Sequence, residues 1–304
     1  MSFIINSIPA VQSISLPQLQ QQQLQAAVLR LDAVHPVVSG NKWYKLKLHL
    51  TAATSGNKKA IVTFGGAFSN HIVATAAACA AAGLQSYGVI RGERGKVPSP
   101  TLLQAAALGM QLFFTNRTDY RNQKIPDELL TLIADKEHII IPEGGYSKEG
   151  MLGAATILDG INIQSFSHIM CTVGTGTTLA GLHLAALPHQ QVIGISVLKN
   201  NYSLEASVQS LLPPEMIRPI QILHEHHGGG YAKHTPQLLH FMNEWYQQTG
   251  IPSDFVYTGK LFFAFQNLVA AGYFPKGSHV LLVHSGGLQG NRSLPPGTLI
   301  FGAE

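Results

Sequence analysis

The chain has 304 residues, of which 45% are hydrophobic and 12% charged. This composition suits one large or two medium globular domains and excludes a disordered chain. The formal net charge is +4, and no basic stripe interleaves with aromatic residues, which argues against nucleic acid as the main partner. No apolar run could cross a bilayer, and no cationic segment precedes the apolar N-terminal residues. Because Cys79 and Cys171 lie in apolar surroundings, we expect buried thiols and a cytoplasmic protein.

The predicted elements begin with an irregular segment over residues 1–25, whose glutamine-rich part forms a surface turn or a short helix. A strand over 26–31 and a helix over 42–55 follow. Further strands are predicted over 60–64, 87–91, 111–115, 138–141, 169–173, 192–197, 220–223 and 280–284. Helices are predicted between the strands. Six of them cover 100–108, 127–135, 153–160, 204–212, 236–249 and 259–271, and two more end at 82 and at 186. This alternation is typical of βαβ units, so we predict an α/β fold with mostly parallel sheets.

Four glycine-rich loops follow predicted strands, at Gly65, Gly144, Gly174 and Gly286. Ligands of parallel sheets bind at the carboxyl ends of strands, next to helix N-termini. We therefore expect the functional site where these loops meet.

Lys42 lies in the stretch Ser-Gly-Asn-Lys-Trp-Tyr-Lys-Leu-Lys, between two small residues and a predicted helix start. A lysine at such a junction can be partly desolvated, which favours the neutral amine that Schiff-base chemistry needs. The alternative is an ordinary solvated surface lysine.

The sequence Gly174-Thr175-Gly176-Thr177-Thr178 is the best candidate for an anion site. Glycines let backbone N–H groups face a ligand, hydroxyls add donors, and the following helix presents its positive end. The segment lacks the third glycine of a dinucleotide fingerprint and the Gly-Lys-Ser/Thr of a nucleotide P-loop. A single phosphate group fits best, and a plain strand–helix turn is the alternative.

Ser69, Asn70 and His71 open a predicted helix after two glycines. They could cap that helix, or they could bind a carboxylate or a phenolic oxygen at its N-terminus. Tyr231 follows a run of three glycines, and Tyr257 is expected at the end of a short strand before a helix. Both could be ordinary amphipathic tyrosines. The histidines at 224–227 are too close in sequence to converge easily, so we predict no metal site.

These motifs together resemble the fold-type II pyridoxal-phosphate enzymes, whose two-domain fold is tryptophan synthase β-like. Within that group the chain resembles the 1-aminocyclopropane-1-carboxylate deaminase and D-cysteine desulfhydrase family. The resemblance rests on five motifs in order: GNKWYKLK at 40–47, GGAFSNH at 65–71, GTGTT at 174–178, VYTGK at 256–260 and HSGG at 284–287. It implies pyridoxal 5′-phosphate as cofactor, a small amino acid as substrate and a homodimer. It also implies a large domain of residues 1–44 plus 157–304 and an inserted small domain of residues 45–156, with helices on both faces of the sheets.

The resemblance further implies roles for individual residues. Lys42 would carry the internal aldimine and move the α-proton. Ser285 would face the ring nitrogen, and Asn70 the phenolic oxygen. Tyr231 and Tyr257 would be catalytic, near the amino group and the leaving group. The phosphate would bind Gly174, Thr175, Gly176, Thr177 and Thr178, and the substrate carboxylate would bind Ser69, Asn70 and His71.

Two main activities and one non-catalytic role remain open from the sequence, and a serine or threonine dehydratase or a racemase is a more distant alternative. A hydroxyl at the ring nitrogen leaves that nitrogen nearly neutral, which favours prompt β-elimination of the kind seen for D-cysteine, to pyruvate, ammonia and sulfide. Opening of 1-aminocyclopropane-1-carboxylate to 2-oxobutyrate and ammonia is the alternative. His71 stands where those deaminases typically have a glutamine, and Thr258 stands where they often have a glutamate. Both differences favour the desulfhydrase. A non-catalytic pyridoxal-phosphate or amino-acid binding protein is the third possibility.

Overall fold

The computed structural model describes residues 8–35, 37–38, 40–95, 97–216 and 218–301. Ser39, which belongs to the Lys42 stretch, and residues 1–7 of the N-terminal segment lie outside the described residues. The strands β1–β10 are Val11–Ile14, Gln25–Arg30, Ala60–Gly65, Gln85–Arg91, Gln111–Thr115, His138–Ile141, His168–Val173, Gln191–Ser196, Gln221–Leu223 and His279–His284. The helices α1–α11 are Pro17–Gln21, Asn41–Ser55, Asn70–Ala82, Pro100–Ala107, Arg117–Arg121, Asp127–Ile133, Lys148–Ala155, Thr177–Ala185, Leu204–Gln209, Pro236–Thr249 and Thr258–Ala270.

Within the described residues the strands form two sheets. One has six strands in the order β1-β2-β10-β7-β8-β9, and the other has four in the order β5-β4-β3-β6. All pairings are parallel except that of β1 with β2. The predicted α/β fold with mostly parallel sheets is therefore confirmed. The four-stranded sheet uses residues 60–141 and the six-stranded sheet uses strands on either side of them; the limits of an inserted domain at 45 and 156 stay a prediction.

Central strands β3 and β7 are buried along their whole length. Parallel strands covered by helices on both faces read as continuous apolar runs, which is why the sequence shows no alternation there. Helices α2, α7 and α8 stack against one another between the sheets. A Cβ atom at Gly153 would overlap the Tyr44 carbonyl, and one at Gly181 would lie 2.6 Å from Ala154 Cβ. These two glycines let the helix that begins beside Lys42 pack closely against α7, and α7 against α8.

Several predicted boundaries were wrong. Residues 11–14 form an edge strand, whereas an irregular segment was expected; four residues with two polar ones give too weak a pattern. Helix α7 begins at Lys148, and the prediction of 153 overlooked Ser147, whose hydroxyl accepts from Gly150 N–H. The short helix α5 was missed, although Asn116 caps it. Among the described residues no strand ends at Tyr257, which lies in a turn.

No helix among the described residues is both long and apolar enough to cross a membrane.

Candidate active site

A cavity of about 350 Å³ opens where the loops of the two sheets meet. Three of the four glycine-rich loops line it, with Gly66, Gly144 and Gly174. The fourth lies against it, since a Cβ atom at Gly287 would sit 3.0 Å from the Asn70 side-chain amide. The carboxyl ends of parallel strands thus converge as expected. Among the other lining residues are Asn41, Lys42, Lys45, Ser69, His71, Tyr231 and Tyr257.

Lys42 is placed by a backbone contact between the start of α2 and the end of β10. Asn41 N–H donates to Ser285 O at 3.2 Å. Gly40 has φ of 72°, and a side chain there would collide with the Ser285 carbonyl. Glycine is required at this position both for the positive φ and for the close approach, so the Gly-Asn-Lys order fixes the direction in which α2 leaves the sheet.

The amine of Lys42 is linked to the 174–178 loop through one side chain. Lys42 Nζ donates to Asn41 Oδ1 at 2.7 Å, and Asn41 Nδ2 donates to Thr178 Oγ1 at 2.8 Å. Burial lowers the pKa of Lys42 to about 8, and the negative charge of Asp254 opposes that shift. A substantial fraction of the amine is therefore neutral and nucleophilic near physiological pH.

The loop before α8 presents unused donors to the cavity. Within the described residues, the N–H groups of residues 175–178 donate to no carbonyl. Gly176 has φ of 90°, and the hydroxyls of Thr175 and Thr177 lie 3.0 Å apart. Thr175, Gly176 and Thr178 line the cavity, whereas Thr177 is fully buried beside it. Free N–H groups at the N-terminus of a helix are the donor set that binds a phosphate.

The residues present fit pyridoxal 5′-phosphate. One cavity holds a partly neutral lysine amine and, joined to it through Asn41, a cradle of unpaired N–H groups suited to a phosphate. When bound, the cofactor supplies an electron sink for the carbanion formed at the substrate α-carbon.

The comparisons with known proteins agree with this fit. The model of the family described as "Pyridoxal-phosphate dependent enzyme" matches residues 6–286. This chain belongs to that family. The protein is thus a pyridoxal-phosphate-dependent enzyme, as the resemblance implied.

Individual proteins to which the chain is similar carry more specific names. The Arabidopsis thaliana "Bifunctional D-cysteine desulfhydrase/1-aminocyclopropane-1-carboxylate deaminase, mitochondrial" is 29% identical, over 86% of this chain and 72% of its own length. The Klebsiella pneumoniae "D-cysteine desulfhydrase" is 26% identical, over 90% of each chain. A solved structure described as an "ACC deaminase homologue" has a TM-score of 0.81 at 23% identity, and the match covers 94% of this chain and 91% of that one. This last likeness confirms the fold.

The N-terminus of α3 faces the same cavity. The Ser69 hydroxyl makes no capping bond, and the N–H groups of Asn70 and His71 donate to no acceptor within the described residues. Ser69, Asn70 and His71 all line the cavity. The helix end is therefore uncapped and open to an anion, in contrast to the capping alternative.

His71 has a defined tautomer. Its Nε2 lies 2.9 Å from Thr63 Oγ1, and that hydroxyl donates to Ile141 O at 2.9 Å. Because the hydroxyl has a single proton, Nε2 must be the donor and Nδ1 must be bare. Nδ1 is buried and has no partner among the described residues. Burial, together with the charges of Lys42 and Lys45, holds the pKa of His71 well below its ordinary value. The neutral side chain has no charge and no free N–H donor, so only the backbone N–H of His71 can bind a carboxylate.

The two predicted tyrosines are brought together beside Lys42. Their ring centroids are 6.1 Å apart in an edge-to-face arrangement, and Lys42 Nζ lies 5.6 Å from the centroid of Tyr257. Burial and the neighbouring Tyr231 raise the pKa of Tyr257 well above its ordinary value. The phenol is therefore protonated and can donate a hydrogen bond.

Ser285, like Thr177, is a predicted site residue that does not line the cavity. It lies directly after β10, is 7% exposed, and uses its carbonyl to hold Asn41. Its role at the ring nitrogen stays a prediction.

Asn41 and Lys45 are site residues that the sequence analysis missed. Lys45 lies one helical turn after Lys42, lines the cavity and donates to Gly144 O at 3.0 Å. Burial and the charge of Lys42 hold its pKa well below the ordinary value. The i,i+3 spacing on a predicted helix places both lysines on one face and was a usable signal.

Asp254 and Lys260 were also missed. The fully buried Asp254 carboxylate accepts from the N–H groups of residues 256, 257 and 258 at 2.9–3.0 Å and from Thr258 Oγ1 at 2.7 Å. It therefore caps α11 and fixes the backbone of Tyr257. Lys260 Nζ donates to Gly230 O at 2.7 Å, which holds the loop before Tyr231. An aspartate placed just before a helix start was a capping signal in the sequence.

Other sequence features lie outside the site. The described His, Cys, Asp and Glu side chains form no group of three that could hold a metal ion. His224 pairs with Glu205 at 2.7 Å. Cys79 and Cys171 are free, buried thiols as predicted, and burial raises the pKa of each to about 12.

Proposed function

We propose that this enzyme cleaves a small amino acid by β-elimination in the manner of a D-cysteine desulfhydrase. One cysteine and one water would give pyruvate, ammonia and sulfide. The observation that carries the proposal is a pair of separate anion sites in one cavity with Lys42. The N-terminus of α8 suits the cofactor phosphate, and the N-terminus of α3 suits the substrate carboxylate.

The chain's own groups divide the work as follows. The N–H groups of Asn70 and His71 and the hydroxyl of Ser69 bind and orient the carboxylate. The Lys42 amine, which is partly neutral near its pKa of about 8, anchors the cofactor and takes the proton from the substrate α-carbon. The phenol of Tyr257, which its raised pKa keeps protonated, donates a hydrogen bond to the departing sulfur.

Opening of the cyclopropane substrate is the second candidate, because the Arabidopsis relative carries both activities in its name. One contact weighs against it here. Thr258 stands where a glutamate is often found in those deaminases, and its hydroxyl donates to Asp254 and accepts from Asp254 N–H. It is fully buried and does not line the cavity.

A keto-acid assay on purified protein with added cofactor tests the proposal. The panel holds D-cysteine, L-cysteine and 1-aminocyclopropane-1-carboxylate. We expect pyruvate and sulfide from D-cysteine, and no 2-oxobutyrate from the cyclopropane substrate. Lys42→Ala should lose both the product and the visible band of the bound cofactor, while the exposed control Lys59→Ala should keep both.

Two results would decide for the alternatives. Production of 2-oxobutyrate without pyruvate would replace the desulfhydrase by the deaminase. A visible spectrum that changes with amino acids while no keto acid forms would leave a binding protein. A homodimer, which the family resemblance implies, and a cytoplasmic location, which the composition favours, are part of the proposal. Light scattering on the purified protein tests the dimer.

A further inference from the structure

A second cavity of about 300 Å³ adjoins the first and has been given no role so far. We call it the side pocket. It shares walls with the cofactor cavity, including the ring of Phe68 and the tyrosine pair Tyr231 and Tyr257. The two spaces are thus neighbours across the tyrosines that flank Lys42.

The walls of the side pocket are largely apolar. Phe255 and Val256 form part of it, and Phe68 stands between the two cavities with 57% of its surface exposed. Arg292, at the exposed rim, carries the only formal charge among the described lining residues. The Asp254 carboxylate lies nearby, but four hydrogen bonds from the protein already satisfy it. It is therefore not expected to bind a donor group of a ligand in the pocket. An apolar body with an anionic end matches this distribution.

The pocket is built by both halves of the molecule. Residues 100 and 101, at the start of α4, form one side, and residues 289, 290, 292 and 293 form the other. Arg292 Nη1 donates to Gln104 Oε1 of α4 at 3.2 Å, which joins the two sides at the rim. The Ser99 hydroxyl donates to Ala67 O and so ties α4 to the loop that carries Phe68. The pocket therefore has a defined shape next to the reacting centre.

We propose that the side pocket binds the part of the substrate that lies beyond its β-carbon. The inference rests on the proposed β-elimination and widens its substrate class to thioethers of cysteine. The favoured substituent on sulfur is an aliphatic or aromatic group that ends in a carboxylate. The C–S bond breaks, the sulfur leaves with its electron pair and takes one proton as a thiol, and one water releases pyruvate and ammonia.

Binding to the cofactor-loaded enzyme tests the subsite without turnover. Calorimetry compares D-alanine, D-norleucine and D-2-aminoadipate, none of which carries a leaving group at the β-carbon, together with their L enantiomers. In the better-bound enantiomeric series, norleucine should bind about tenfold or more tightly than alanine, because its extra methylene groups are buried. Aminoadipate should bind more tightly than norleucine, and Arg292→Met should remove that preference whereas Arg292→Lys keeps part of it.

A substitution that partly fills the side pocket provides a second experiment. Ser293 lines the rim and is exposed, so Ser293→Trp narrows the pocket without disturbing the core, and Ser293→Ala is the matched control. Ser293→Trp should weaken norleucine binding by about fivefold or more and leave alanine binding within about twofold. Equal weakening of every ligand would make the pocket an access route and overturn the subsite. Equal affinity for alanine and norleucine in the unchanged enzyme would also overturn it. Failure of D-cysteine to give pyruvate, with the affinity series intact, would instead overturn the proposed reaction and leave the subsite standing.

Discussion

Replacing Thr63 by valine should remove the contact that sets the tautomer of His71. The hydroxyl lies 2.9 Å from both His71 Nε2 and Ile141 O, and valine has nearly the same shape without a donor or acceptor. Since His71 is 1% exposed, its N–H would lose its acceptor inside the protein. Such a loss lowers the free energy of unfolding by about 1–3 kcal/mol.

A double-mutant cycle isolates this contact from the other effects of each substitution. Urea unfolding of the cofactor-free protein would be followed for Thr63→Val, His71→Ala and the double variant. We expect a coupling of about 1 kcal/mol or more, with the double variant less destabilised than the sum of the single ones. Thr63→Ser keeps the hydroxyl and should keep the coupling. Additivity to within about 0.5 kcal/mol would refute the hydrogen-bond argument.

The tautomer itself can be read from nitrogen-15 spectra of labelled histidine. His71 should show a protonated Nε2 and a bare Nδ1, and His71→Gln identifies its signals by their loss. In Thr63→Val that fixed pattern should give way to a mixture of the two tautomers, because Nε2 then loses its acceptor and Nδ1 has none among the described residues. A protonated Nδ1 in the unchanged protein would contradict the reasoning from Thr63.

Three further predictions concern the cofactor site. Because desolvation favours the neutral amine of Lys42, cofactor capture by the cofactor-free protein should speed up as the pH rises through about 8, as followed by stopped flow; a midpoint near the ordinary value of 10.5 would contradict this. Asp254→Asn replaces the acceptor of four hydrogen bonds, so the free energy of unfolding should fall by about 1–3 kcal/mol. The substitution also removes the charge that favours the Lys42 ammonium, so the pH midpoint of cofactor capture should fall below that of the unchanged protein. Gly176 has φ of 90°, which alanine adopts only with strain, and a Cβ atom there would lie 2.9 Å from Val208 Cγ2. In Gly176→Ala, equilibrium dialysis should therefore show weaker binding of pyridoxal phosphate but little change in the binding of pyridoxal. Equal losses for both would place the phosphate elsewhere.

Much of the fold could be predicted because the relevant signals are local. The strands at 111–115 and 138–141 and the helix at 236–249 were predicted with their observed limits, since apolar runs and turn residues are set by near neighbours in the chain. The strand at 11–14 was missed because its pairing with β2 comes from the tertiary structure and not from its own composition.

The same division applies to the site. Glycines and hydroxyl residues at 174–178 and at 65–71 suffice to predict loops open to anions, because loop shape and helix polarity depend on consecutive residues. Asn41 could not be predicted as a bridge, since its partner Thr178 lies 137 positions away.

The sequence by itself determined the alternating α/β pattern, the Gly-Asn-Lys stretch that resembles the cofactor family's motif, and the order of the glycine-rich loops. Only the tertiary structure decided the charge state of Lys42, the tautomer of His71 and the side pocket beside the tyrosines. The pKa of a lysine depends on how much water the whole fold excludes around it. The tautomer of His71 depends on the Thr63 hydroxyl, which joins a helix residue 8 positions away to a strand residue 78 positions away. A pocket wall made from two distant segments exists only once those segments meet.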